Sequence, residues 1–282
     1  MIAVFLDRSP AGLDPLPSPY HTHYAAVLGA LEADERVRAA WLSGSLARGT
    51  ADAASDLDLI LAVADDTFDG FVDGWSHWLA AVVPVLIGNE IPGTRLIAYA
   101  MTEDFCRIDA VIEPVGRISE SPHRRRTVIL DRDGIDAHVP SASPGDGPDA
   151  GRITGIITEF WRQQAMFPMM LDVRRDLLCA LIGVQTAWQM LYDVFVESNQ
   201  PLPATGVKLV SAKLRPEQLA VLLALPPARP DRDLLVAADG AIRIAMDTAG
   251  RAAAVRVGAV YPDHLARMVS SELERRLAEP GR

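Results

Sequence analysis

The sequence predicts an α+β protein: an N-terminal mixed sheet with flanking helices, followed by an α-helical C-terminal domain. Three observations carry this. Short apolar segments bounded by turn residues recur from about residue 36 to residue 134. Helical spacing dominates after about residue 152, with no strand signal. Between them lies "HVPSASPGDGPDAG", rich in Pro, Gly, Ser and Asp, which reads as a linker. The expected domains are therefore 1–140 and 152–282.

Each element has its own signal. "PLPSPYHTHYAAVLGALEAD" opens on prolines and then places Tyr24, Val27, Leu28 and Leu31 at helical spacing, so a helix is expected from about Ser18 to Ala33. "RVRAAWLSG" reads as a strand ending on Gly44, and "DLDLILAVA" as a second strand. "DTFDGFVDGWSHWLAAVV" spaces Phe68, Phe71, Val72, Trp75, Trp78 and Leu79 as one helix, despite Gly70 and Gly74. "RLIAYAM", "CRIDAVIEP" and "RTVILDRDG" are short apolar strands. Beyond the linker, residues 152–199 are helical with an interruption near Pro168. "RPEQLAVLLAL" starts a helix at Pro216, and two further helical stretches complete the chain.

Composition narrows the function. The 282 residues suffice for a well-buried core, and an apolar content of 49% with 23% charged residues is ordinary for a globular protein. No apolar run reaches bilayer-spanning length, and "MIAVFL" is too short for a signal-peptide core. Two cysteines, Cys106 and Cys179, exclude a disulfide framework and a cysteine zinc cluster. A cytoplasmic protein with no membrane association is the expectation. Charge is uneven: residues 1–150 hold 11 Arg, no Lys and 23 acidic side chains, whereas 151–282 hold 16 basic and 14 acidic ones. An acidic N-terminal half disfavours nucleic acid as a partner and suits a cationic one, although a low pI also serves solubility alone.

The chemistry concentrates in "GSLARGTADAASDLDLIL". On a strand, i and i+2 face the same way, so Asp56 and Asp58 share one face while Leu57, Leu59 and Leu61 take the other. Carboxylates about 6–7 Å apart repel each other. A hard cation between them relieves this, and Mg²⁺ favours a few carboxylates plus substrate phosphates. Gly44 and Ser45, at the end of a strand, allow a backbone to approach a phosphate closely and a hydroxyl to donate to it. Arg48 adds a planar charged fork. Asp109 stands in the middle of an apolar strand, with Arg107 and Val111 on its face; such a carboxylate is costly unless it is paired or metal-bound.

"GS", a short helix-forming spacer, "SDLDL" and an Asp on a later strand resemble the DNA polymerase β-type nucleotidyltransferase superfamily. Within it, the chain is similar to the small-molecule branch, the aminoglycoside and lincosamide nucleotidyltransferases. The resemblance covers about residues 37–135, and "VILDRDG" looks like the strand that closes this domain. It implies an N-terminal nucleotidyltransferase fold of polymerase β type. It also implies that Gly44, Ser45 and Arg48 meet nucleotide phosphates, that Asp56 and Asp58 hold divalent metal, and that Asp109 is a third ligand or the general base. Mg²⁺ or Mn²⁺ and a nucleoside triphosphate, ATP in the first instance, are the implied cofactor and co-substrate. Lys208, after the Pro-rich "PLPATG", is similar to a lysine that reaches the nucleotide in several relatives.

The expected reaction moves a nucleotide from a triphosphate to a hydroxyl of a small acceptor, an antibiotic of aminoglycoside or lincosamide type among them, in a cleft between the two halves. Two other readings stand beside it: a toxin-like transferase acting on tRNA or protein, and a catalytically silent nucleotide-binding relative. No motif identifies the base. Glu113, four positions after Asp109, and Glu90 are the candidates besides Asp109. The run "HRRRT" is either a solvated turn or an anion contact, Trp161 is a core residue or an acceptor-pocket residue, and His21 with His23 lacks a third zinc ligand.

Overall fold

The computed structural model describes residues 10–122, 125–141, 145–202 and 209–278. They form two compact units, the first from the residues up to 141 and the second from 145 onward.

The first unit is a helix-flanked sheet. Its elements are α1 (Ser18–Ala33), β1 (Val37–Leu42), α2 (Gly44–Arg48), β2 (Leu57–Val63), α3 (Phe68–Asp73), α4 (Trp75–Val82), β3 (Val85–Ile91), β4 (Leu96–Thr102), β5 (Arg107–Pro114) and β6 (Thr127–Asp131). The strands run in the order β3-β4-β5-β2-β1-β6. Only β2 and β5, at the centre, are parallel; every other neighbouring pair is antiparallel. The helix expected over residues 66–83 is two helices, α3 and α4, separated at Gly74. The strand β3 has no counterpart in the sequence reading. Most of its residues are exposed on both faces, so it lacks the alternation that marks a half-buried strand.

The two faces of the sheet are covered differently. Leu57, Leu59, Leu61, Ile108, Ala110 and Ile112 point to one face and pack with Tyr24, Leu31, Phe71 and Trp75 from the helices. On the other face, Ala39, Trp41, Ile60 and Ala62 lie under Ile118, Ile135 and Val139. These three come from the two short 3₁₀ segments, Val115–Glu120 and Ile135–His138, and the residue just after. Arg126 fastens the second segment, donating from Nε to Asp136 Oδ1 at 2.6 Å and from Nη2 to the carbonyls of Asp136 and Val139. The described part of "HRRRT" is thus partly structural; His123 and Arg124 lie outside the described residues.

The second unit is helical: α5 (Ala150–Gln164), α6 (Leu177–Ser198), α7 (Pro216–Leu223), α8 (Arg232–Ala245), α9 (Arg251–Arg256) and α10 (Asp263–Ala278). Local chemistry starts them. Asp149, Asp176 and Asp231 cap α5, α6 and α8 by accepting from backbone N–H groups of the first turn, and Pro216 occupies the first turn of α7. By length and composition α6 could cross a membrane. Its Ala180, Val184, Ala187 and Leu191 instead belong to the unit's core with Phe160, Leu235 and Ile242. Trp161 is buried there too and donates from Nε1 to Tyr261 Oη at 3.1 Å, which makes it a core residue and not part of an acceptor pocket.

Candidate active site

The site lies where β1 ends and the parallel pair β2–β5 begins. Asp58 is in register with Asp109, so the two carboxylates stand side by side on one face. Asp56, just before β2, joins them, and one oxygen from each of the three lies within 4.8 Å of the others. Asp56 is buried, whereas Asp58 and Asp109 are half-buried. Arg107, two residues before Asp109 on the same strand, forms an ion pair with Asp56 and donates to the carbonyl of Ala54 at 2.8 Å. Three carboxylates this close raise one another's energy unless cations balance them. Their all-oxygen donor set suits a hard divalent ion such as Mg²⁺ or Mn²⁺.

Gly44 brings the backbone against this cluster. It adopts φ 57°, and a Cβ built there would lie 1.7 Å from Asp58 Oδ2. Only glycine fits both the left-handed conformation and the space. The neighbouring Ser43 N–H donates to the Asp58 carbonyl at 2.9 Å, tying the end of β1 to β2. Ser45 follows on α2, which begins at Gly44 and not after Ser45. Arg48 closes the helix; its Nε is buried with no hydrogen-bond partner among the described residues. The loop before Asp56 is shaped by Asp52, whose Oδ1 accepts from Ala54 N–H at 2.9 Å and from Ser55 Oγ at 3.2 Å. Asp52 thus holds the approach to Asp56.

The remaining candidates fall elsewhere. Glu113 shares the face of Asp109 but sits four residues along β5, roughly 13 Å away at strand spacing. It is buried and paired with Arg95, whose Nη1 donates to Oε1 at 2.9 Å. Glu90 lies on β3 opposite Ala98, which is opposite Ala110; it therefore belongs to the face away from Asp109 and is corrected as a base. Lys208 lies outside the described residues.

The histidine pair separates on α1. His21 meets the carbonyl of Leu16, while His23 is buried against Asp104 at 2.9 Å, with Cys106 beside it. The third group that the sequence did not offer is therefore present. It is held by protein donors: Thr102 and His23 keep the Asp104 carboxyl down at about 2, and burial, with Asp104 next, pushes the Cys106 thiol up to about 11. Arg107, paired with Asp56, and Tyr99, which stands opposite Asp109 across β4–β5, border the cluster without having been singled out by the sequence. The sequence places Arg107 on the face of Asp109 without a role, and Tyr99 reads only as part of the strand "RLIAYAM".

A Gly-Ser turn against a trio of strand carboxylates on a mixed sheet defines a nucleotidyltransferase. The sequence signature of the streptomycin adenylyltransferase family matches residues 20–195, more than half of the chain, and the chain belongs to that family. Among solved structures, it is similar to an aminoglycoside 6-adenyltransferase from Bacillus subtilis, at 14% identity over 88% of this chain and 95% of that one, with a TM-score of 0.41. No curated protein matches it.

Proposed function

We propose that the chain transfers AMP from ATP to a hydroxyl of an aminoglycoside-type antibiotic, with resistance as its role and the cytoplasm as its setting. The observation that supports this most directly is the convergence of Asp56, Asp58 and Asp109 beside the close backbone approach of Gly44. The three aspartates would hold the divalent metal, which when bound neutralises phosphate charge and polarises the α-phosphate. Gly44, Ser45 and Arg48 bind the β- and γ-phosphates and hold them toward β1 and α2. Asp109, on the strand nearest β4, accepts the proton of the attacking hydroxyl. The new bond joins the acceptor oxygen to the α-phosphorus; the bond to the β-phosphate oxygen breaks, and pyrophosphate leaves with its electron pair. Positioning and charge balance supply most of the acceleration.

The test is pyrophosphate release from ATP, GTP, CTP and UTP with Mg²⁺ or Mn²⁺, against streptomycin, other aminoglycosides, a lincosamide and bulk tRNA. Release that requires ATP and an aminoglycoside, and that disappears in Asp56→Ala/Asp58→Ala, is expected. Release driven by tRNA or a lincosamide, or ATP binding without transfer to any acceptor, would overturn the assignment.

A further inference from the structure

The sheet order gives the site two sides. The turn Gly44–Ser45 lies at the end of β1, the acids lie on or beside β2 and β5, and β4 follows on the far side from β1. In a displacement at phosphorus the attacking and leaving oxygens stand roughly in line. With the pyrophosphate held at the Gly44 side, as proposed above, the acceptor hydroxyl must arrive from the β4 side. The side chain standing there is Tyr99. It is directly opposite Asp109 in the antiparallel β4–β5 register, so its Cβ is about 5 Å from that of Asp109 on the same face. It is 43% exposed, although a tyrosine on a central strand is ordinarily covered.

Its surroundings repeat the pattern. Ile97 and Met101 flank it on β4, half-buried; on β3 the exposed Asn89 stands directly opposite it, between Ile87 and Ile91 at 61% and 48% exposure. Among the described residues, the cluster that the 3₁₀ cover forms with Ile60 and Ala62 includes no residue of this strip. A mostly apolar floor with one aromatic ring and the Asn89 amide, running up to a carboxylate, matches a ring molecule that carries C–H faces, hydroxyls and ammonium groups. The ring binds cations over its face, and the acidic surplus of residues 1–150 has the matching sign.

We propose that Tyr99 is the acceptor-binding residue of this transferase, the floor on which a cationic, polyhydroxylated ring lies while its hydroxyl points at Asp109. This rests on the transfer reaction proposed above. The test is steady-state kinetics of Tyr99→Ala and Tyr99→Phe, with ATP and the acceptor varied in turn. Tyr99→Ala should raise the acceptor KM by about tenfold, the size of a desolvated cation–π contact. Its ATP KM, kcat and melting temperature should stay near wild type, and Tyr99→Phe should behave as wild type throughout. A rise in ATP KM instead would place the nucleobase on the ring and overturn the proposal. So would an unchanged acceptor KM, or a Tyr99→Phe as impaired as Tyr99→Ala, which would make the hydroxyl the reader. If the wild-type chain turns over no acceptor, the transfer reaction itself falls; if it turns over one and Tyr99→Ala leaves its KM alone, only the role of Tyr99 falls.

Discussion

One face of the six-stranded sheet is two surfaces. Over β1 and the later part of β2, Trp41, Ile60 and Ala62 are sealed under Ile118, Ile135 and Val139. Over β3 and β4, Ile87, Ile91 and Tyr99 stand exposed. The carboxylates follow the same division. Glu113, at the covered end of β5, is buried and answered by Arg95 from the same unit. Asp58 and Asp109, at the open end of the same parallel pair, crowd together with Asp56, which Arg107 pairs. Where the fold supplies both cover and counter-charge, a carboxylate is architecture. Where it crowds three carboxylates beside an open floor, it offers an all-oxygen donor set that suits a hard divalent ion.

The sharpest way to break this comparison uses two glycines with the same backbone strain. Gly44 and Gly49 bracket α2 with φ 57° and 68°. A Cβ at Gly44 strikes Asp58, while one at Gly49 has nothing within 4 Å. Both Gly→Ala changes should cost about 1–2 kcal/mol of stability through the left-handed conformation. Only Gly44→Ala should also displace Asp58 from the trio, lowering kcat/KM by about a hundredfold, as ångström-scale misplacement does. Melting temperature and kcat/KM measured on both variants decide it. Equal activity in the two would mean that the approach of Gly44 to Asp58 has no part in the site.

Much of this was readable in the chain beforehand, for identifiable reasons. β5 announces itself by alternation and α1 by apolar residues at helical spacing, whereas β1 and β2, buried on both faces, read as short continuous apolar runs bounded by turn residues. Asp56, Asp58 and Asp109 stood out because carboxylates interrupt those apolar strands. What escaped depends on partners distant in sequence. Arg107 takes its meaning from Asp56, in the loop just before β2 and 51 residues earlier in the chain. Glu113 reads as a candidate base in the sequence, whereas in the fold Arg95, just before β4, pairs with it. Tyr99 reads as one more aromatic in a strand, and only the pairing of β4 with β5 sets it beside Asp109. The edge strand β3 has no buried face to imprint a pattern.

Glu113 offers the next test, because it is the covered counterpart of Asp109 on the same strand. Glu113→Gln keeps the volume and removes the charge. The cost should be about 1–3 kcal/mol, the worth of a hydrogen bond to a charged group, since Arg95 is partly exposed and keeps water as a partner. kcat and its pH profile should not move. Urea denaturation and kinetics on the same preparation separate the two effects. A collapse of kcat with stability intact would transfer the role of base from Asp109 to Glu113 and erase the distinction between the covered and open ends.

The helical unit carries the rule to its limit, and with the smallest expected effect. Asp239 is buried on α8, salt-bridged to Arg243 at 2.9 Å, and Gln164 donates its amide to both carboxylate oxygens at 2.7 and 3.3 Å. Burial is the dominant influence and raises its pKa to about 6, against the opposing pull of Arg243 and Gln164. The unfolded chain releases this proton near pH 4. Between about pH 4 and about pH 6 the folded unit therefore holds a proton that the unfolded chain has lost. Stability contributed by Asp239 must fall as pH rises through that window and level off above it, the opposite of an ordinary paired carboxylate. Other carboxylates titrate in the same range, so the readout is the difference between wild type and Asp239→Asn, which cannot titrate. The melting temperature of the variant relative to wild type should climb by about a few degrees from pH 4 to pH 6.5. A difference that does not change with pH would mean that Arg243 and Gln164 balance the buried charge fully. In that case protein donors alone can make even a sealed carboxylate behave as if it were in water, and crowding rather than exposure would be what sets the Asp56, Asp58 and Asp109 cluster apart.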